Sequence, residues 1–217
     1  MTQTAFIRAR TEDQIEIRRA EILQAAAELI MQDGFDKVSL NGIARRAGIA
    51  KSNLYRYFDG KEEIFFDVMA HDYGDWFDDI ETRFKKLKPG VSDADVAREM
   101  SDSLRERERL CHFISVKAVV LEKNMSEETL TRFTGLLMGR AFNLVAVLIT
   151  PLPPLTHKQG IFLMKATHAA IAGLWPASQL NHLDNVTDLP DIEDWRTDFH
   201  RDLEKTLFYL LKGMRSP

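Results

Sequence analysis

Apolar residues recur at intervals of three and four along nearly the whole chain, and no stretch alternates strictly between turn residues. Helix is therefore the regular element that the pattern supports. From Ile15 the positions Ile15, Ile22, Ala26, Leu29 and Ile30 keep helical spacing, and Gly34 closes that helix as a C-terminal cap. Asp59-Gly60-Lys61-Glu62 opens the next long helix, with Asp59 placed to cap it and Glu62 to reach back. That helix runs through Ile64, Phe65, Val68, Phe77, Ile80, Phe84 and Leu87 to the break at Pro89-Gly90. Ser92, Ser126, Thr156 and Asp191 are later start points, and Thr156 with Gln159 forms a capping box. The proline-rich stretch Thr150 to Leu155 is a breaker, and Asn181 to Asn185 begins the last loop. Leu110 to Leu121 is apolar nearly all round, as a buried central helix is. Ile161, Met164, His168, Ala172 and Trp175 share one helical face, which Pro176 ends or kinks. A final stripe joins Trp195, Phe199, Leu203, Leu207, Leu210 and Met214, flanked by Phe208, Tyr209 and Leu211. The chain reads as all-α, with about nine helices.

Two of those helices are short. Leu40, Ile43, Ala44 and Ala47 line one face of the first; Gly48-Ile49 follows, and Leu54 and Phe58 point inward from the second. Helix, glycine turn, helix is the helix-turn-helix arrangement. Small Ala44 and Ala47 let the two helices cross closely, and Gly48 tolerates a turn conformation that other residues resist. The outward positions of the second helix are Lys51, Ser52, Asn53, Tyr55, Arg56 and Tyr57. They combine hydrogen bonders suited to base edges with partners for phosphate.

Charge sharpens this reading. The 217 residues carry a net charge of −4, yet Lys37, Arg45, Arg46, Lys51, Arg56 and Lys61 face a single acid, Asp59, in one short segment. Eight acids and no Lys or Arg lie between Glu62 and Glu81. The asymmetry describes an anion-binding head on an acidic body. Composition is that of a globular protein, with 45% hydrophobic and 29% charged residues. No secretory signal opens the sequence, and uninterrupted apolar runs such as Leu144 to Ile149 fall short of a bilayer span, so no membrane partner is expected. The one cysteine, Cys111, suits a reducing compartment; the expected location is cytoplasmic.

The stretch Ile22 to Val68, and above all IARRAGIAKSNLYRYFDGKEEI from Ile43, resembles the TetR family of one-component bacterial regulators. Residue types, spacing and helix ends agree together. One departure is Ala50, where the family often has Ser or Thr; a capping hydroxyl is lost there, and Ser52 is placed to replace it in part. The resemblance implies a three-helix DNA-binding head over residues 1–60 and a helical ligand-binding and dimerisation body over 61–217. It implies base reading by Asn41, Lys51, Ser52 and Asn53, and phosphate contacts from Ser39, Tyr55, Tyr57 and Lys61. Tyr55 is the more core-like of the two tyrosines on sequence. Arg46 reads as solvating the back of the motif, and Arg8 and Arg10 as an N-terminal tail or minor-groove arm.

The body carries no ligand motif of its own. Trp76, Met100, Phe113, Phe133 and Phe142 are candidate walls of an apolar effector pocket, with Lys117 and His168 as polar members. Plain core packing is the competing account of each. The double-width stripe of the last helix, with the helix before it, suits a four-helix dimer interface. Six histidines are scattered without ligand spacing, so neither a metal, another cofactor nor an enzyme is expected. The function read from the chain is a ligand-responsive regulator, a repressor acting as a homodimer on a palindromic double-stranded operator and released by a small molecule. The alternatives are a helical scaffold without DNA binding, or an enzyme in the C-terminal domain.

Overall fold

A computed structural model describes residues 2–34, 37–116, 127–152, 155–179 and 196–215, with side chains over the same ranges except at 2–12, 129 and 133. Among the described residues there are nine α-helices and no strand. They are α1 (Thr2–Asp33), α2 (Leu40–Arg46), α3 (Lys51–Leu54), α4 (Lys61–Lys85), α5 (Asp93–Asp102), α6 (Glu108–Val116), α7 (Glu127–Ile149), α8 (His157–Gln179) and α9 (Phe199–Met214). The chain divides into two compact units, one chiefly Met1–His71 and the other chiefly Asp72–Lys123 with Leu130–Pro217. The sequence places that division before α4; the compact units divide inside it.

In the first unit Ile22, Ala26, Leu29 and Ile30 of α1 are buried together with Ile43, Ala44, Leu54 and Phe58. Gly34 and Gly48 both take positive φ, +78° and +67°, which is the conformation that their turns require of glycine. Two expectations change here. The helix begins at Thr2, so Arg8 and Arg10 lie on α1 and not in a tail, although their side chains are outside the described ones. Ile15 does not face inward but is 48% exposed, ahead of Ile22, where the buried face of α1 begins. At the start of α4 the carboxylate that reaches back is Glu63, which accepts from the Asp59 backbone N–H at 2.7 Å; Glu62 does not take that place.

In the second unit α9 packs on α5 and α8, and α6 packs on α8. Ser92 caps α5 through its side chain, and Thr156 and Gln159 form the expected reciprocal box at the start of α8, at 2.8 and 3.3 Å. Ser126, Asp191 and Trp195 fall outside the described residues; α9 begins at Phe199 with Asp198 as its cap. The buried face of α8 is Gly160, Leu163, Thr167 and Ile171, one step round from the stripe that the sequence suggests. The helix also continues through Pro176 to Gln179. In α9 the buried residues are Phe199, Leu203, Leu207 and Leu211. Leu207 is thus core within this chain and not an outward contact, while Phe208 and Leu210 are half-buried and Tyr209 is exposed.

The acids of α4 are structural. Asp72 receives two hydrogen bonds from the Arg109 guanidinium, at 2.6 and 2.8 Å. The bond from Asp72, working against burial, holds the Arg109 charge above the ordinary arginine value. Asp79 accepts from Arg83 at 3.0 Å and pairs with Arg107 at 3.5 Å, and Arg140 reaches Asp78. Asp72, Asp78 and Asp79 therefore serve as partners for arginines, and Glu81 for Lys85. The stretch Leu130–Ile149 of α7 is long and apolar enough to cross a membrane by length and composition, unlike the shorter uninterrupted runs within it. Leu137, Leu144, Val145 and Leu148 are buried, whereas Leu136, Met138 and Phe142 of the same stretch are exposed.

Candidate nucleic-acid interface

The interface begins at Ser39, the N-cap of α2, whose extended backbone lets its hydroxyl accept from the Gly42 N–H at 3.2 Å. The hydroxyl proton is left to donate outward. Asn41 is exposed two residues on. Gly48 then turns the chain into α3, which is a single helical turn. Its N-cap is Ala50, which makes no side-chain cap bond, and Ser52 supplies no substitute among the described residues. Beyond Leu54 the chain continues as a tight turn, with Arg56 N–H donating to Asn53 O at 3.2 Å and Tyr57 N–H to Leu54 O at 2.9 Å.

Leu54 and Phe58 anchor this element from below, at 1% and 3% exposure. Everything between them and before them faces out: Lys51, Ser52, Asn53, Tyr55 and Arg56 are exposed. Tyr55, at 53% exposure, is an outward residue, and Tyr57 is the half-buried one, the reverse of the sequence expectation. The reason is spacing from Leu54: Tyr57 and Phe58 stand three and four residues on, on its inward side, with the Phe58 N–H still donating to Leu54 O at 3.0 Å, whereas Tyr55 stands one residue round from it. Lys61 is half-buried at the first position of α4, its amine 6.0 Å from the centre of the Phe65 ring. The backbone N–H groups at that helix start add a partial positive charge.

Ser39, Asn41, Lys51, Ser52, Asn53 and Tyr55 are exposed and Tyr57 and Lys61 half-buried, on α2 with its cap, α3, the turn that follows and the start of α4, all within one compact unit. Arg56 belongs with them, and its charge and outward position on the sequence were the signal for it. Arg46 is excluded, since it bonds Glu28 at 3.0 Å and Gln32 at 2.6 Å and so ties α2 to α1.

The candidate effector residues are not assembled in the same way. Trp76, Met100 and Phe113 are fully packed, and the Trp76 indole N–H donates to Ser103 Oγ at 2.9 Å. Phe142 is 57% exposed with its ring edge-on to His157, so it does not face an interior space. His168 is half-buried, stacked on Tyr73 and within 3.3 Å of its hydroxyl. Lys117 and the side chain of Phe133 lie outside what is described. A cleft of about 560 Å³ in the second unit is lined instead by Asp79, Arg83, Asp102, Ser103, Arg105, Glu106 and Arg107.

Residues 22–68 match the sequence profile of bacterial regulatory proteins of the tetR family, and residues 70–217 that of the tetracyclin repressor-like C-terminal domain. The fatty acid metabolism regulator protein of Bacillus subtilis is 30% identical over 66 residues, 30% of this chain and 34% of that protein. The chain spans about a third to a half of the length of the curated relatives of this kind that it matches. Among solved structures, the fatty acid degradation regulator FadR from Bacillus halodurans aligns with a TM-score of 0.59 at 16% identity, over 92% of this chain and 97% of that one. FadR of Thermus thermophilus, a repressor in complex with lauroyl-CoA, aligns with a TM-score of 0.57 at 16% identity, over 92% and 96%.

Proposed function

The chain belongs to the TetR family of bacterial regulators, and from that premise we propose that it represses transcription by binding a DNA operator and leaves it when a small molecule binds the body. The observation that carries this reading is the outward set on α3 and its exit turn. Lys51, Ser52, Asn53, Tyr55 and Arg56 crowd one surface above the buried anchors Leu54 and Phe58. Asn and Lys match the donor and acceptor edges of bases in the major groove, and the tyrosines, Lys61 and Ser39 suit phosphate.

One head touches too few bases for a useful operator, so the reading includes a two-fold dimer on a palindromic site. The faces of α8 and α9 that remain open in the single chain support it. Phe162, Ala169 and Gly173 are exposed on α8, and Tyr209 and Gly213 on α9. Small residues beside aromatic ones allow two helices to approach closely. As effector we propose a fatty acyl-CoA, supported by the lauroyl-CoA carried by a neighbour of the same fold.

Selection from a random duplex pool tests the reading. A recovered palindrome whose affinity falls steeply with salt supports it, since each neutralised phosphate releases counterions. Failure to enrich any duplex, or binding indifferent to salt, overturns it. Titrating the recovered complex with acyl-CoAs of graded chain length tests the effector class separately, and no release at any length removes that class alone.

A further inference from the structure

We infer that Arg19 is a positioning residue for DNA reading, one that fixes the exit turn of α3 without touching the nucleic acid. Its guanidinium is held on three sides. One nitrogen donates to the backbone carbonyl of Tyr57 at 2.5 Å, a second pairs with the Asp67 carboxylate at 2.5 Å, and the guanidinium carbon lies 4.2 Å from the centre of the Phe58 ring. Arg19 thereby joins α1, the turn after α3 and α4 inside one compact unit. Its neighbour Arg18 does nothing comparable, pairing with Glu21 three residues on along the same helix.

The need for such a clamp follows from the element that it holds. α3 is four residues long and its N-cap offers no side chain, whereas isolated helices become stable only beyond about a dozen residues. The conformation of the reading surface must therefore be imposed from outside. Leu54 and Phe58 hold it from the core side, and Arg19 holds the far end through the backbone of Tyr57. Tyr55, Arg56 and Tyr57 ride on that turn, and Lys61 follows it. A planar fork satisfies a carbonyl and a carboxylate together while lying on an aromatic face; an ammonium serves these less well.

The inference rests on the DNA-binding reading, and Arg19→Lys, Arg19→Gln and Asp67→Asn test it in the full chain. Binding to the selected duplex should weaken about ten- to a hundredfold, the cost of one charge-assisted hydrogen bond. The salt slope should hold, because Arg56 and Lys61 keep their charges and Arg19 itself meets no phosphate. In the free protein, amide exchange at Arg56, Tyr57 and Phe58 should quicken while that of Ile43 and Ala44 stays slow. A uniform weakening on every duplex with a lower salt slope would make Arg19 a direct phosphate ligand. A lowered melting temperature with unchanged exchange at Arg56 to Phe58 and unchanged affinity would reduce it to general stability. If no duplex is bound by the parent protein, the proposed function fails, and the exchange measurement still decides whether the clamp exists.

Discussion

Gly160 on α8 lies so close to Val145 on α7 that an added Cβ would come within 2.6 Å of Val145 Cγ1 and 2.8 Å of Ile149 Cγ2. Both neighbours are β-branched, and Val145 is buried at 2% exposure, so neither has room to swing away. The two helices cross at that glycine because nothing larger fits. Gly160→Ala should therefore destabilise the chain by about 1–3 kcal/mol through overpacking. Gly139, on α7, has nothing within 4 Å of its would-be Cβ. Gly139→Ala should gain up to about 1 kcal/mol from helix propensity. Denaturant melts of the pair decide the matter, and equal behaviour would mean that the crossing is looser than its geometry.

The outward set proposed to face DNA was legible in the sequence because each of its parts is local. Gly48 marks the turn, Leu54 and Phe58 mark the inward face, and Lys51 to Asn53 are what remains. Three things escaped. Tyr55 and Tyr57 exchanged exposure because adjacency to Leu54 is a poor guide to facing: Tyr57, three residues on, shares its inward side, and Tyr55, one residue on, does not. Arg19 gave no signal, since its partners stand 38 and 48 residues away and periodicity carries no information at that range. The buried face of α9 came out as Leu207 and Leu211, whereas the sequence stripe included Leu210, because a stripe apolar on several sides does not say which side is covered. The same ambiguity defeated the pocket residues: Trp76 and Phe142 look alike in sequence, and one is at 2% exposure and the other at 57%.

That ambiguity separates two substitutions on neighbouring helices. Leu207→Glu places a charge at a site of 1% exposure between α9 and its intramolecular neighbours. It should unfold the body, with a loss of several kcal/mol from an uncompensated buried charge. Ala169→Arg, on an exposed position of α8, should leave the fold and its melting behaviour intact while converting dimers to monomers. Sedimentation with circular dichroism on both proteins is the check. A dimeric, folded Ala169→Arg protein would move the interface away from this face.

Cys111 offers a probe of the body core. It is fully buried on α6, and burial pushes its thiol from the usual 9.0 up to about 12. A thiol is a nucleophile only as thiolate. In the folded chain Cys111 should resist alkylation at pH 8 and react only on unfolding, so that its labelling rate reports opening of the second unit. The folded thiol holds its proton more tightly than the unfolded one, so this contribution to stability is complete below about pH 9 and is lost as pH rises toward 12. Cys111→Ala should flatten the fall in stability between pH 9 and 11. Rapid labelling at pH 8 under native conditions would show that the helix is far more open than its burial implies.

Under the proposed function, the sharpest division is between residues that would grip the duplex and residues that would read it. Lys61 stands at the first position of α4 with its amine near the face of Phe65. Tyr57 lies on the preceding turn, its side chain half-buried and its backbone carbonyl held by Arg19. Phosphate contacts position the protein and carry no sequence information. Lys61→Ala should thus weaken binding to every duplex by a similar factor, and lower the slope of log affinity against log salt by about 0.9 for each phosphate left without its cation. Tyr57→Phe should weaken all duplexes alike with little change of slope, since a neutral hydroxyl displaces no counterion. Asn53 and Lys51 project from α3 itself, both exposed. Asn53→Ala or Lys51→Ala should change which base is preferred at one position of each half-site, at a cost of about 1–3 kcal/mol of discrimination for each base edge no longer bonded. Repeating the duplex selection with each variant gives the preference directly, and titrations at several salt concentrations give the slope. A changed motif with Lys61→Ala, or an unchanged motif with Asn53→Ala, would reverse the two roles and mean that α3 enters the groove from its other end.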